Sequence, residues 1–210
     1  MIMTRKISPV ILMACFLIGA TASHASDAGK SGEPIGAAAA AQSQYALSVK
    51  LPEFTLNGTK LKQDRSQPKP EAFQDPAMRK CPPFCVEPEI LPGAETIRVE
   101  DFPKLAADIQ AGKIIIVDMR TPDWYQKGTL PGAINLPYTD LTGQQTKAKA
   151  RMKKLAEKAI IAFCNGWWCG QSPTGIKALI DLGYTGKIYY FRDGNQGWAD
   201  AGLPFVTPKE

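Results

Sequence analysis

The stretch Ala159-Ile160-Ile161-Ala162-Phe163-Cys164-Asn165-Gly166-Trp167-Trp168-Cys169-Gly170-Gln171-Ser172-Pro173 decides the fold. Five consecutive apolar residues are too few for a helix and show no alternation, which describes a strand covered on both faces of a parallel sheet. A glycine-containing loop follows. Ser172 then reads as a helix N-cap with Pro173 in the first turn, and Gly183 stands just past the helix end. The loop thus joins a strand's carboxyl end to a helix amino end, where open α/β sheets place their reactive crevice.

Working outward, the same texture recurs on both sides. Lys113 to Asp118 is a β-branched strand, preceded by a helix over Asp101–Ala111 that Gly112 closes and by a strand at Thr96–Val99. Ala133–Leu136 reads as a strand, Thr146–Lys158 as a helix, Lys187–Phe191 as the last strand, and Gln196–Ala201 as a short helix. Strands alternating with helices predict an α/β, three-layer domain on a parallel sheet over residues 94–208. Between Gln67 and Gly93 stand seven prolines, predicting an extended segment ordered by contact. Asn57-Gly58 between alternating stretches signals a hairpin at 53–62, and residues 26–49 read as a flexible Ala/Ser/Gly tether.

Arg5 and Lys6 precede an apolar run from Ile7 to Ala22 and the small residues of Ser23-His24-Ala25. This is a signal-peptide layout, with cleavage expected after Ala25 and a periplasmic or secreted location. The run is too short for a bilayer span of about 20 residues, so no span is expected in the mature chain. Loss of Arg5 and Lys6 takes the 25 basic residues to 23 against 20 acidic ones. They are scattered, so no nucleic-acid partner is expected. His24 is the only histidine of the 210 residues. The mature chain would have none, which excludes Ser-His-Asp and Cys-His catalysis and histidine metal sites. Thiols, carboxylates, amines and backbone dipoles remain, and no cofactor or metal is expected.

Cys164 is therefore the candidate nucleophile, because main-chain N–H groups and the helix dipole stabilise a thiolate. Asn165, Gly166, Trp167, Trp168, Gly170, Gln171 and Ser172 are the candidate substrate-binding residues of its loop, and Arg192, at the end of the last strand, is the nearest replacement cation. Its alternative is an ion pair with Asp193 or Asp200. Asp118 and Arg120 are read as a brace between strand-end loops. Trp167 and Trp168 either rim a pocket or pack over the loop. Cys169 either takes part in the chemistry or bridges Cys164, and Cys81 and Cys85 are the candidates for a structural disulfide.

The segment Val117-Asp118-Met119-Arg120-Thr121-Pro122, then Gly128-Thr129-Leu130-Pro131-Gly132-Ala133-Ile134-Asn135-Leu136-Pro137, resembles the first signature of the rhodanese family. Phe163-Cys164, Leu182-Gly183-Tyr184 and Phe191-Arg192-Asp193-Gly194-Asn195-Gln196-Gly197-Trp198-Ala199-Asp200-Ala201-Gly202-Leu203-Pro204 resemble the remainder. The resemblance covers roughly residues 95–206 and implies a five-stranded parallel sheet and transfer of sulfane sulfur through a persulfide of Cys164. The chain departs from the family where it has Cys169 in place of a loop arginine (Gln171, counting from the serine), and Thr129 in place of a frequent histidine. The partners implied are a small sulfur-containing anion, a thiol acceptor and a periplasmic protein. Two rivals stand beside sulfur transfer: a dithiol–disulfide redox protein using Cys164 and Cys169, and a non-catalytic binding module.

Overall fold

A computed structural model describes residues 45–74 and 85–208. The leader, most of the tether and Cys81 lie outside these residues. From residue 54 onward the strands and α-helices of the described residues run in order: β1 Phe54–Leu56, β2 Thr59–Leu61, β3 Glu95–Ile97, α1 Phe102–Gln110, β4 Ile114–Asp118, α2 Pro122–Gln126, β5 Ile134–Asn135, α3 Tyr138–Thr142, α4 Gln145–Lys153, β6 Ala159–Phe163, α5 Gln171–Asp181, β7 Ile188–Phe191 and α6 Gly194–Asp200. The main sheet has the order β3-β7-β6-β4-β5, and every pairing in it is parallel.

The apolar run of β6 lies in the middle of this sheet because both its faces are covered. Ile161 and Phe163 join Ile114, Ile116 and Phe191 under α1, where Phe102 meets the ring of Phe191 edge-on at 4.8 Å. Ile160 and Ala162 join Val117, Ile188 and Tyr190 under α5, against Ile176 and Leu179. Burying each such side chain contributes about 1.5–3 kcal/mol.

Several boundaries differ from the expectation. The helix read over Thr146–Lys158 stops at Lys153, since the chain tightens into successive turns and Ala156 and Glu157 take positive φ angles of 51° and 54°. Two one-turn helices, α2 and α3, follow Thr121 and Pro137, whose extended ψ of 153° and 137° sets their start. Both are too short for periodicity to reveal.

The Asn57-Gly58 hairpin forms, with φ of 45° and 80° at its two central residues and Phe54 paired with Leu61. It is not an appendage. Phe54, Leu56 and Leu61 belong to the core under α1, with Phe54 edge-on to Trp198 at 6.5 Å. The line drawn at residue 94 therefore separates two stretches of sequence that share one core. No helix among the described residues is long and apolar enough to cross a membrane.

Candidate active site

The β6–α5 loop brings Cys164 to the carboxyl edge of the sheet, where it is 1% exposed. As a thiol it donates to the Cys169 carbonyl at 2.8 Å. As a thiolate it accepts from the Ser172 hydroxyl at 3.1 Å. Burial pushes its pKa up, but the Cys169 thiol, the Ser172 hydroxyl and the main-chain N–H groups of Ser172 and Gly166 outweigh burial. The net result is a thiol more acidic than an ordinary cysteine. Cys169 goes the other way. Burial and the adjacent Cys164 sulfur, for which it is a donor, push it well above the usual value. The two thiols are thus driven apart, Cys164 the more acidic and Cys169 the less acidic of the pair. Both are free, so the reading of a standing bridge between them does not hold in this structure.

Ser172 is not the N-cap of α5. The helix begins one residue earlier, after Gly170, with no side-chain cap, because the Ser172 hydroxyl is engaged by the buried sulfur. Trp167 and Trp168, 1% and 0% exposed, form no rim; with Phe73, Cys164 and Cys169 they make a third apolar cluster.

A cleft of about 340 Å³ opens over the loop between Trp124, Tyr138, Asn165, Cys169, Gly170, Gln171 and Thr174. Of the two sulfur-bearing residues, Cys169 lines it and Cys164 lies behind. The sequence reading took Cys164 as the nucleophile; the folded loop buries it and gives the cleft wall to Cys169. Trp124 and Tyr138, on α2 and α3, carried no sequence signal as site residues, since both helices escape detection.

Arg120 is 1% exposed and organises the loop edge. Its Nε and Nη2 donate to Asp118 at 2.9 and 2.6 Å, Nη2 to the Gly128 carbonyl at 2.6 Å, and Nη1 to Asn165 Oδ1 at 3.1 Å. With its amide oxygen turned toward Arg120, Asn195 accepts from Nη1 at 2.7 Å and Nη2 at 3.0 Å. Thr129 donates to Asp118 at 2.7 Å. The brace expected of Asp118 and Arg120 is thus a buried network of six residues that fixes Asn165.

Arg192 corrects the expectation in a different direction. It neither faces the cleft nor pairs with Asp193 or Asp200. Its Nη2 and Nε donate to the Glu87 carbonyl at 2.6 and 3.1 Å, and Nε to Pro88 at 3.2 Å. The Glu87 N–H donates to the Trp167 carbonyl at 2.7 Å. Residues 85–88 are thereby strapped onto the cysteine loop, with Cys85 and Val86 against its apolar cluster. Cys85 is disulfide-bonded, through a partner outside the described residues; a bridge from it to Cys164 or Cys169 is excluded because both are free. Among the described residues no group of three or more His, Cys, Asp or Glu could hold a metal.

This arrangement, a free cysteine at the carboxyl edge of a five-stranded parallel sheet in a loop before a helix, defines a class. Residues 101–201 match the family described as the rhodanese-like domain, and the chain carries a rhodanese-like domain there. It is 32% identical over 95 residues to an HTH-type transcriptional regulator of Mycobacterium tuberculosis, covering 45% of this chain and 38% of that protein. It is 28% identical over 106 residues to the human thiosulfate:glutathione sulfurtransferase, covering 47% of this chain and 88% of that one. A crystal structure of a Pseudomonas aeruginosa thiosulfate sulfurtransferase is similar at 25% identity and a TM-score of 0.44, covering 55% of this chain and 21% of that one. The chain spans 38% of the regulator and 62% of Escherichia coli YibN, so the similarity is that of a shared domain.

Proposed function

We propose that this is an exported sulfurtransferase that carries sulfane sulfur as a persulfide of Cys164. The observation that carries the reading is Cys164 at the sheet's carboxyl edge, accepting from the Ser172 hydroxyl at 3.1 Å with the free Cys169 beside it. The rhodanese-like match and the sulfurtransferases among the relatives support it. Export rests on the leader-like first 25 residues.

In this reading the Cys169 side chain turns aside and a donor R–S–SH enters the cleft. Cys164 thiolate attacks the terminal sulfur, the donor's S–S bond breaks, and RS⁻ departs, leaving Cys164–S–SH. Main-chain N–H groups that stabilised the thiolate then face the persulfide. An acceptor thiolate attacks the outer sulfur and restores Cys164–S⁻. Intact-mass analysis of the reduced protein after exposure to a sulfane-sulfur donor tests this: one added sulfur, mapped to Cys164 and absent in Cys164→Ser, is expected. A chain that gains no sulfur at Cys164 has no such activity.

A second reading follows from the two free thiols themselves. The Cys169 proton passes to RS⁻, Cys169 thiolate attacks Cys164–S–SH, and hydrosulfide leaves as the Cys164–Cys169 disulfide forms. An external dithiol then returns the pair to its reduced state. Cys169→Ser separates the two: it keeps sulfur loading under the first reading and abolishes hydrosulfide release under the second.

A further inference from the structure

Thiosulfate brings two negative charges to a nucleophile and leaves as sulfite with two. A site that uses it therefore needs cations or many free donors facing the cleft. Among the described residues that line the cleft over Cys169, none carries a charge. Two buried arginines bonded at this edge of the sheet are engaged elsewhere, Arg120 by Asp118, Gly128 and Asn165, Arg192 by the carbonyls of Glu87 and Pro88. Lys127 lies over the outer ring of Trp124, 5.2 Å from its centroid, but it is exposed, where solvent and salt screen its charge.

What the cleft does offer is of the opposite kind. A carboxylate oxygen of Glu87 abuts Gly170, 3.0 Å from where a Cβ on that residue would sit. Glu87 is thus an acceptor at the edge of the cleft, beside the lining residue Gly170. Gln171, a lining residue, holds its Oε1 buried without a hydrogen-bond donor. The walls beside that oxygen are the rings of Trp124 and Tyr138. Acceptors and aromatic faces suit an N–H donor or an ammonium on a carbon chain.

We infer that the cleft takes a carbon-bound sulfane sulfur, an organic hydropersulfide with an uncharged or amine-bearing chain, and discriminates against inorganic oxyanions such as thiosulfate. The inference rests on the sulfur-transfer reading of Cys164. The chemistry balances without a cation: Cys164–S⁻ + R–S–SH gives Cys164–S–SH + R–S⁻, so a single negative charge moves from one sulfur to another.

The test loads the reduced, full-length mature protein with thiosulfate or with cysteamine hydropersulfide and follows sulfur gain at Cys164 by mass. Each rate is divided by that of the same donor with a small free thiolate, which removes intrinsic reactivity. The normalised rate is expected to favour cysteamine hydropersulfide by tenfold or more. Gln171→Arg, which puts a cation in the cleft, should raise thiosulfate loading about tenfold, and Glu87→Gln should narrow the preference. Equal normalised rates for the two donors, or a folded Gln171→Arg protein with unchanged thiosulfate loading, would overturn the inference. Loading by neither donor would instead remove the sulfur-transfer reading on which it stands.

Discussion

At the scale of single residues, the chemistry turns on what makes a buried thiol more acidic without an arginine in its loop. Cys164 gains one hydroxyl donor, one thiol donor and two main-chain donors in place of water. A hydrogen bond to a charged group contributes about 1.5–3 kcal/mol, and one pKa unit is about 1.4 kcal/mol. Ser172→Ala should therefore raise the Cys164 pKa. Ultraviolet titration of the thiolate reads this directly, since the raised pKa of Cys169 keeps its own step at higher pH. An unchanged first step would mean that the hydroxyl only fills space. The sign for stability also follows. A depressed thiol pKa stabilises the fold above the unfolded value of about 8.5, and that contribution is lost as pH falls through the folded pKa.

At the scale of elements, α6 clamps the cysteine loop. The N–H groups of Asn195 and Gln196 donate to the carbonyls of Cys164 and Asn165 at 3.0 and 2.9 Å. The contact is close because Gly194 has φ of +53°; a Cβ there would lie 2.3 Å from the Cys164 carbonyl oxygen and 2.7 Å from the Gly166 nitrogen. Gly194→Ala combines overpacking with an unfavourable backbone region and should cost about 2–4 kcal/mol. Urea unfolding measures it, and a loss under about 1 kcal/mol would show that the clamp yields freely. Asp193-Gly194-Asn195-Gln196 stood out in the sequence as part of a family-like segment. Its role as the underside of the loop needed the fold, because Gln196 stands 31 positions beyond Asn165 in the chain.

At the scale of the whole molecule, the N-terminal extension and the domain are one packing unit. The hairpin enters the core, Gln63 donates to the Ala201 carbonyl at 2.8 Å, and Lys69 pairs with the buried Asp200 at 2.7 Å. Where the strap, β3 and β7 converge, burial pushes Asp193 up to about 6 despite Arg98 and Arg192. This raises its folded pKa above the unfolded 3.8, so the associated stability is full below 3.8 and is lost as pH rises through 6. Asp193→Asn should flatten that part of the curve, making the variant gain on the wild type as pH rises. Urea midpoints taken across the range would test it, and parallel curves for the two proteins would refute it.

What the residues alone determined is what depends on local pattern: β4 and β6 as doubly buried strands, the parallel α/β order, and Cys164 at a strand's carboxyl end ahead of a helix. An unbroken apolar run permits few other outcomes, and a strand end before a helix is set by adjacency in the chain. Tertiary structure alone decided which sulfur faces the cleft, that Trp167 and Trp168 turn inward, that Ser172 serves the thiolate and not the helix end, and that Arg192 holds the strap. Each of those depends on partners distant in sequence, such as Glu87 for Arg192, 105 residues apart. Such pairings are chosen by the competition among buried polar groups for the donors and acceptors that folding brings within reach.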